Sequence, residues 1–226
     1  MADEGRRDRC LAAHEAPPVP PEGPVTTRLP RRSFARSATE VAPELLGHIL
    51  ARRLPDGVVL RARIVETEAY DQNDPASHAY RGRTPRVRVM FGPPGHLYVY
   101  FTYGMHHCMN VVTGPVGTAS AVLLRAAQPL EGMERMSIRR RTDRVRDLCR
   151  GPARLAQAFD VDRSLDGADL VRGSEIWIER GPGASAASIR RGPRVGIRVG
   201  TDLPWRFWID GPWVSVSRPA AVLSPR

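Results

Sequence analysis

Between residues 64 and 110 the chain gathers a concentrated set of reactive side chains: Glu66 and Glu68 ahead of Tyr70, then His78, then Arg81, Arg83, Arg86 and Arg88, then Tyr98, Tyr100, Tyr103 and Asn110. In an extended strand alternate side chains share a face, so Glu66, Glu68 and Tyr70 point the same way. Such a face is either a solvated acidic surface or the wall of a cleft. In the second case a carboxylate shielded by aromatic rings suits general-base work. The pattern alone does not choose between Glu66 and Glu68. Tyr98 and Tyr100 also share a face, which is ordinarily half-buried core. Beside arginines, aromatic rings have a second use, stacking on extruded bases, and a bulky side chain at a turn, such as Tyr103 before Gly104, can wedge into duplex DNA. His78 has no partners at metal-ligand spacing, and no metal or other cofactor is expected. Arg125, inside the apolar run 121–126, is a separate signal, because a buried charge must be paired or face a polar site.

Composition narrows the chemistry further. The 226 residues carry a net charge of +10, which makes anionic polymers plausible partners. All 34 basic residues are arginine. A lyase-type mechanism attacks sugar with an amine, usually a lysine, to form a Schiff base. Here an activated water is the better nucleophile. Three cysteines, Cys10, Cys108 and Cys149, lie far apart with no C-x-x-C spacing. That count argues against a disulfide framework and a zinc site, and fits a reducing compartment. No apolar run approaches the roughly 18 residues of a membrane span, and the N-terminus lacks the apolar core of a secretory signal. The expectation is a soluble, cytoplasmic, monomeric protein, nucleoid-associated if the source is bacterial, with no membrane contact.

The elements that must position these residues follow from periodicity and turn signals. Residues 1–32 are rich in Pro, Glu and Arg and read as a disordered tail. A helix is expected after Ser37 or Thr39, with Val41, Leu45, Leu46 and Ile49 at helical spacing. Strands are expected over 58–70, 97–103, 108–112, 121–127, 175–179, 194–199 and 205–209. The arginine-rich stretch 135–150 reads as helical, a short helix over 153–159 follows Gly151-Pro152, and 181–192 reads as an exposed loop. Together they predict an α/β (α+β-like) fold: one domain, 33–218, around a mixed or antiparallel sheet with flanking helices, and a short C-terminal tail over 219–226.

The segments Ile64-Val65-Glu66-Thr67-Glu68-Ala69-Tyr70, Ala76-Ser77-His78-Ala79-Tyr80-Arg81-Gly82-Arg83-Thr84-Pro85-Arg86 and Leu97-Tyr98-Val99-Tyr100-Phe101-Thr102-Tyr103-Gly104-Met105-His106 are colinear and long. They resemble the 3-methyladenine (alkyladenine) DNA glycosylase family from about 37 to 216. The resemblance implies an FMT C-terminal-domain-like fold. It makes Glu68 the catalytic carboxylate, Tyr70 and Tyr100 the rings that stack on a flipped base, and Tyr103 the intercalating residue. It places His78 on the flipped base with its backbone amide on the purine edge, and Asn110 at a pocket floor that disfavours guanine's exocyclic amine. Arg125 falls beside the catalytic water, and Val195 matches the residue whose carbonyl helps hold that water. Tyr98 is left as structural. Arg81, Arg83, Arg86 and Arg154, the last within Gly151-Pro152-Ala153-Arg154-Leu155, are expected on backbone phosphates. One departure is Val87, where the family pattern leads to asparagine.

The function implied is a monofunctional DNA glycosylase, a hydrolase without lyase activity. It acts on double-stranded DNA containing alkylated purines (3-methyladenine, with 7-methylguanine and hypoxanthine as further substrates) and so begins base excision repair. Two rivals stand beside it: a non-catalytic binder that stacks bases on its tyrosines, and a metal-dependent nuclease using Glu66 and Glu68 as ligands.

Overall fold

A computed structural model describes residues 27–102 and 104–215. Three short α-helices, α1 (Ala38–Glu44), α2 (Met133–Arg140) and α3 (Pro152–Ala158), accompany eight strands: β1 (Ile49–Arg53), β2 (Val59–Asp71), β3 (Leu97–Thr102), β4 (His106–Val112), β5 (Ser120–Glu131), β6 (Ile176–Glu179), β7 (Ile189–Gly192) and β8 (Arg206–Ile209). The strands form one sheet in the order β3-β4-β5-β2-β1-β6, with the β7–β8 hairpin joined through β8 to β2 at Glu66, Thr67 and Glu68. Every pairing is antiparallel. The fold is therefore a single α/β domain with an antiparallel sheet.

Packing on one side of the sheet makes the main core. Phe34, Leu45, Leu46, Phe159 and Leu155 meet Leu60, Ile64, Leu97, Val111 and Leu124 there. Helix α1 starts where Ser37 and Glu40 form a reciprocal capping box, which satisfies amides that the first turn leaves unpaired. The helix is shorter than the apolar spacing predicts, because the chain turns at Gly47 (φ +85°) and Ile49 begins a strand instead. A Cβ on Gly47 would sit 2.4 Å from the Gly183 carbonyl carbon, so this turn requires glycine for space as well as conformation.

The sheet's two longest strands carry the feature that builds the site. Along β2, Leu60, Ala62 and Ile64 enter the main core, but farther on it is Ala69 that does so, and Thr67 donates to the Ala42 carbonyl of α1 at 2.8 Å. Along β5 the core residues Val122 and Leu124 give way to Ala127 in the same manner. The register explains both switches. Ile64 pairs with Ala127, Glu66 with Ala126 and Thr67 with Leu124, so Val65 and Arg125 are each left over in the ladder. Two bulges in facing strands exchange inner and outer faces at one level. They turn Glu66, Glu68 and Arg125 to the side opposite the helices.

Several sequence expectations are corrected here. Residues 27–32, read as the end of a tail, pack into the domain: Leu29 is buried, Arg28 forms an antiparallel backbone bridge with Glu179 alongside β6, and Arg31 pairs with Asp169 at 2.6 Å. The rest of the tail, residues 1–26, and the segment 216–226 lie outside the described residues. Residues 194–199 are not a strand; they form bends against the β2 end, and the strand of that region is β7, inside the stretch read as a loop. The stretch 135–150 is α-helical only through Arg140, where Arg141 enters the left-handed region at φ +51°, and a single 3-10 turn, Val145–Asp147, follows. Strand β1, not expected from the sequence, completes the sheet between β2 and β6.

Candidate active site

On the face opposite the main core, β2, β3, β4 and β5, the loops 75–78 and 195–199, Met90 and Pro152 at the start of α3 surround a cavity of about 460 Å³. Strand alternation decides what each contributes. Tyr70 ends β2, Tyr98 and Tyr100 alternate along β3, Cys108 and Asn110 along β4, and Ala121, Leu123 and Arg125 along β5. The volume is that of an ordinary small-molecule pocket, with room for a flat heterocycle, and the rings of Tyr70, His78, Tyr98 and Tyr100 stand among its walls.

Glu68 lies behind this cavity with no solvent exposure, held by three of the residues that line it. Three donors hold its carboxylate. The Tyr70 hydroxyl donates to Oε2 at 2.8 Å, the Val195 backbone amide donates to Oε1 at 2.7 Å, and Arg125 Nη1 stands 3.2 Å from Oε1. Burial, followed by the Glu68 charge and its hydrogen bond, drives the Tyr70 hydroxyl far above its ordinary range, so it stays a donor. Arg125 bridges the two carboxylates, its Nε also 2.9 Å from Glu66 Oε1. Burial works against the guanidinium's charge, but the facing Glu68 and Glu66 outweigh it and raise its pKa.

Glu66 serves a different purpose from its neighbour. It accepts from Arg125, from Arg206 Nε at 2.7 Å, and from the amide and hydroxyl of Ser215 at 2.6 and 2.8 Å. The bulged strand thus presents one carboxylate to a structural knot and the next to Tyr70, Arg125 and Val195 of the cavity wall. With cationic and amide donors on both Glu66 and Glu68, these carboxylates are poor candidates for a metal pair, which weighs against the nuclease alternative.

The mouth of the cavity is aromatic and basic. His78 is exposed as a residue, but its ring stands edge-on to Tyr100 with centroids 4.5 Å apart and shares a 3.2 Å hydrogen bond between Nδ1 and the Tyr98 hydroxyl. Burial of the ring against these neighbours, and then the Arg86 charge, hold the imidazole down to about 4. It is neutral at physiological pH. Arg86 also donates to Tyr98, whose hydroxyl burial pushes up to about 12. Asn110 is buried and donates from Nδ2 to the Tyr98 carbonyl at 3.1 Å.

The site residues expected from the sequence fall into three groups. Glu68, Tyr70, His78, Tyr100, Asn110, Arg125 and Val195 converge on this one cavity or on the carboxylate behind it. Arg81, Arg83 and Arg86 are exposed on the segment that leads away from His78, and Arg154 is exposed on α3, 3.7 Å from Asp147. Tyr103 lies outside the described residues; its flanks, Thr102 and Gly104, form the tight turn between β3 and β4. Val87, where asparagine was expected, is buried with Ala79, Met90, Phe91 and Tyr98 in a second apolar cluster beneath the cavity. Tyr98, read as structural, both lines the cavity and holds His78. Arg194 and Asp74 were not singled out at all, although Arg194 stands within a run ordinarily read as strand, the signal that marked Arg125.

Residues 32–212 match the family model described as methylpurine-DNA glycosylase. The chain belongs to the methylpurine-DNA glycosylase family. Relatives of high similarity, each provisionally named a 3-methyladenine DNA glycosylase, occur in several bacteria. That of Burkholderia lata is 56% identical over 186 residues, covering 81% of this chain and 88% of its own. That of Streptomyces avermitilis is 53% identical over 201 residues, covering 86% and 94%. That of Carboxydothermus hydrogenoformans is 50% identical over 181 residues, covering 80% and 94%. Family membership makes the protein a DNA glycosylase for alkylated bases, and its polymer substrate DNA. Among the described residues no helix is long and apolar enough to cross a membrane.

Proposed function

We propose that this glycosylase is monofunctional, excises alkylated purines from double-stranded DNA (3-methyladenine above all, with 7-methylguanine and hypoxanthine as further substrates) and uses a water activated by Glu68. The observation that carries this reading is a fully buried carboxylate held by Tyr70, Val195 and Arg125, three residues that line a cavity with room for a base and with Tyr98, Tyr100 and His78 in its walls. The names of the bacterial relatives support the same substrate class.

In this mechanism Arg81, Arg83, Arg86 and Arg154 meet backbone phosphates, and Tyr103 enters the stack as the damaged nucleotide rotates out. Extrusion costs a few kcal/mol, less for a weakly paired lesion, so damaged bases are favoured already at this step. Tyr70 and Tyr100 flank the extruded base, His78 packs on it and its amide reads the purine edge. Asn110 conflicts with guanine's exocyclic amine. Alkylation at N3 or N7 gives the purine a positive charge, which aromatic faces attract by about 0.5–2 kcal/mol. That charge also makes the base a good leaving group. Glu68 takes a proton from a water held with help from Arg125 and the Val195 backbone. The water oxygen bonds to the anomeric carbon, and the electrons of the broken C–N bond leave with the base. The products are a free base and an abasic site. A neutral lesion such as hypoxanthine must gain a proton as it leaves.

The test is release of free base from methylated duplex DNA in EDTA, wild type beside Glu68→Gln. Loss of a general base costs about 10²–10⁴ in rate, so release by wild type alone, leaving uncleaved abasic sites, is expected. Near-normal release by Glu68→Gln overturns the role of Glu68. Tight binding without release by either protein favours the non-catalytic binder.

A further inference from the structure

Behind Tyr70, on the side away from the cavity, Arg194 is held in a cage that the reaction scheme above does not use. Its guanidinium lies 4.6 Å from the Tyr70 ring centroid and 5.3 Å from that of Trp205. Nη2 donates to Asp74 Oδ1 at 2.9 Å and to the Gly200 carbonyl at 3.2 Å, while Nη1 donates to Asp74 Oδ2 and, at 3.0 Å, to the Ala69 carbonyl. Both charged side chains are fully inaccessible to solvent. One group therefore ties together three walls of the cavity: the β2 end, the 74–78 turn and the 194–200 bends. Gly200 leaves room for the pair, since a Cβ there would fall 3.1 Å from both Arg194 Nη2 and Asp74 Oδ1, at φ +62°.

A buried ion pair is weak evidence for stability, because desolvation offsets its attraction. Among the described residues Arg194 Nε has no acceptor either. What the pair does place with accuracy is a cation against the back of Tyr70, balanced by Asp74. A cation draws π density toward itself and leaves the opposite face less attractive to a second cation. We propose that the Arg194–Asp74 pair is a positioning and specificity device: it fixes the Tyr70 ring, and the balance of its two charges sets how strongly that ring favours a cationic base over a neutral one. This rests on Tyr70 being a wall for the extruded base.

The test compares single-turnover release of 7-methylguanine, cationic in DNA, with release of neutral hypoxanthine by full-length protein. Asp74→Asn keeps shape but leaves Arg194 unbalanced behind Tyr70. The expected loss is roughly 2- to 30-fold greater for the cationic base than for the neutral one. The doubly neutral Asp74→Asn, Arg194→Gln variant restores that ratio toward wild type, even where both absolute rates fall. Equal losses for both bases, or a double variant whose ratio is no better than the single, would overturn the proposal and leave a purely structural clamp. Gly200→Ala, which crowds the pair without changing charge, provides a second reading should Asp74→Asn fold poorly: rates fall, and the ratio stays within 2-fold. A shift of that ratio by Gly200→Ala as large as that expected for Asp74→Asn counts against a charge effect. If wild type releases no base at all, the glycosylase reading itself has failed; if it releases both and the ratio is unmoved, only this proposal has.

Discussion

Arg125 is buried between two carboxylates, with side-chain nitrogens 2.9 Å from Glu66 and 3.2 Å from Glu68. Removing it takes the cation from beside Glu68 and leaves Glu66 to Arg206 and Ser215, and breaking a buried pair from one side costs about 3–5 kcal/mol. We predict that Arg125→Met lowers unfolding free energy by that order in urea titrations, whereas the exposed Arg81→Gln leaves it unchanged. A stable Arg125→Met protein would mean that Glu66 and Glu68 do not depend on this cation. His78 gives a pH prediction at the same scale. Its folded pKa is lowered from 6.5 to about 4. As pH falls through 6.5 the unfolded chain takes up a proton that the folded chain refuses until about 4, so stability is lost across that window. The denaturation midpoint of wild type should fall more between pH 7 and 4.5 than that of His78→Asn, and equal falls would contradict the neutral, packed imidazole.

At the scale of elements, the bulged pair β2–β5 turns both carboxylates to the face opposite the main core. Period-two alternation correctly put Glu66, Glu68 and Tyr70 on one face, and resemblance, not pattern, chose Glu68. Alternation carries no sign of Val65 and Arg125 dropping out of the ladder, because a bulge is a property of two paired strands and not of either sequence alone. The same limit hid β1: Val41, Leu45, Leu46 and Ile49 fit a helical spacing, yet Gly47 turns the chain and hands Ile49 to a strand. It hid β7 as well, whose Ile189–Gly192 acquires strand geometry from its partner β8. The Arg194–Asp74 pair joins residues 120 apart in sequence, so nothing local announces it. Gly47→Ala tests the turn. A left-handed residue costs about 1–2 kcal/mol, and overpacking against the Gly183 backbone adds typically 1–3 kcal/mol. A clear drop in melting temperature is expected; an unchanged one would show that the turn relaxes freely. Val87→Asn is the companion case. Val87 is buried in an apolar cluster, and an amide buried there unsatisfied costs about 1–3 kcal/mol. Full stability in that variant would show that the loop accepts the asparagine expected there.

The whole molecule carries its charge unevenly, and this determines how it should meet DNA. Five buried or half-buried arginines, Arg31, Arg61, Arg125, Arg194 and Arg206, are each paired with an acidic residue inside the fold. Arg81, Arg83, Arg86 and Arg88 are exposed and follow directly on His78 at the cavity mouth. Positive charge available to a polyanion is thus placed where an extruded nucleotide would enter. Each phosphate neutralised releases condensed counterions and contributes about −0.9 to the slope of log K against log salt. Arg81→Gln and Arg83→Gln should therefore each flatten that slope by about 0.9, measured by titrating labelled duplex at several salt concentrations. Neither substitution touches Glu68 or the cavity wall, so base release under single-turnover, saturating conditions should stay near wild type while the half-saturating protein concentration rises. An unchanged slope would place the phosphate contacts elsewhere. A fall in the saturated rate would mean instead that these arginines help extrude or seat the base, and that binding and flipping draw on the same contacts.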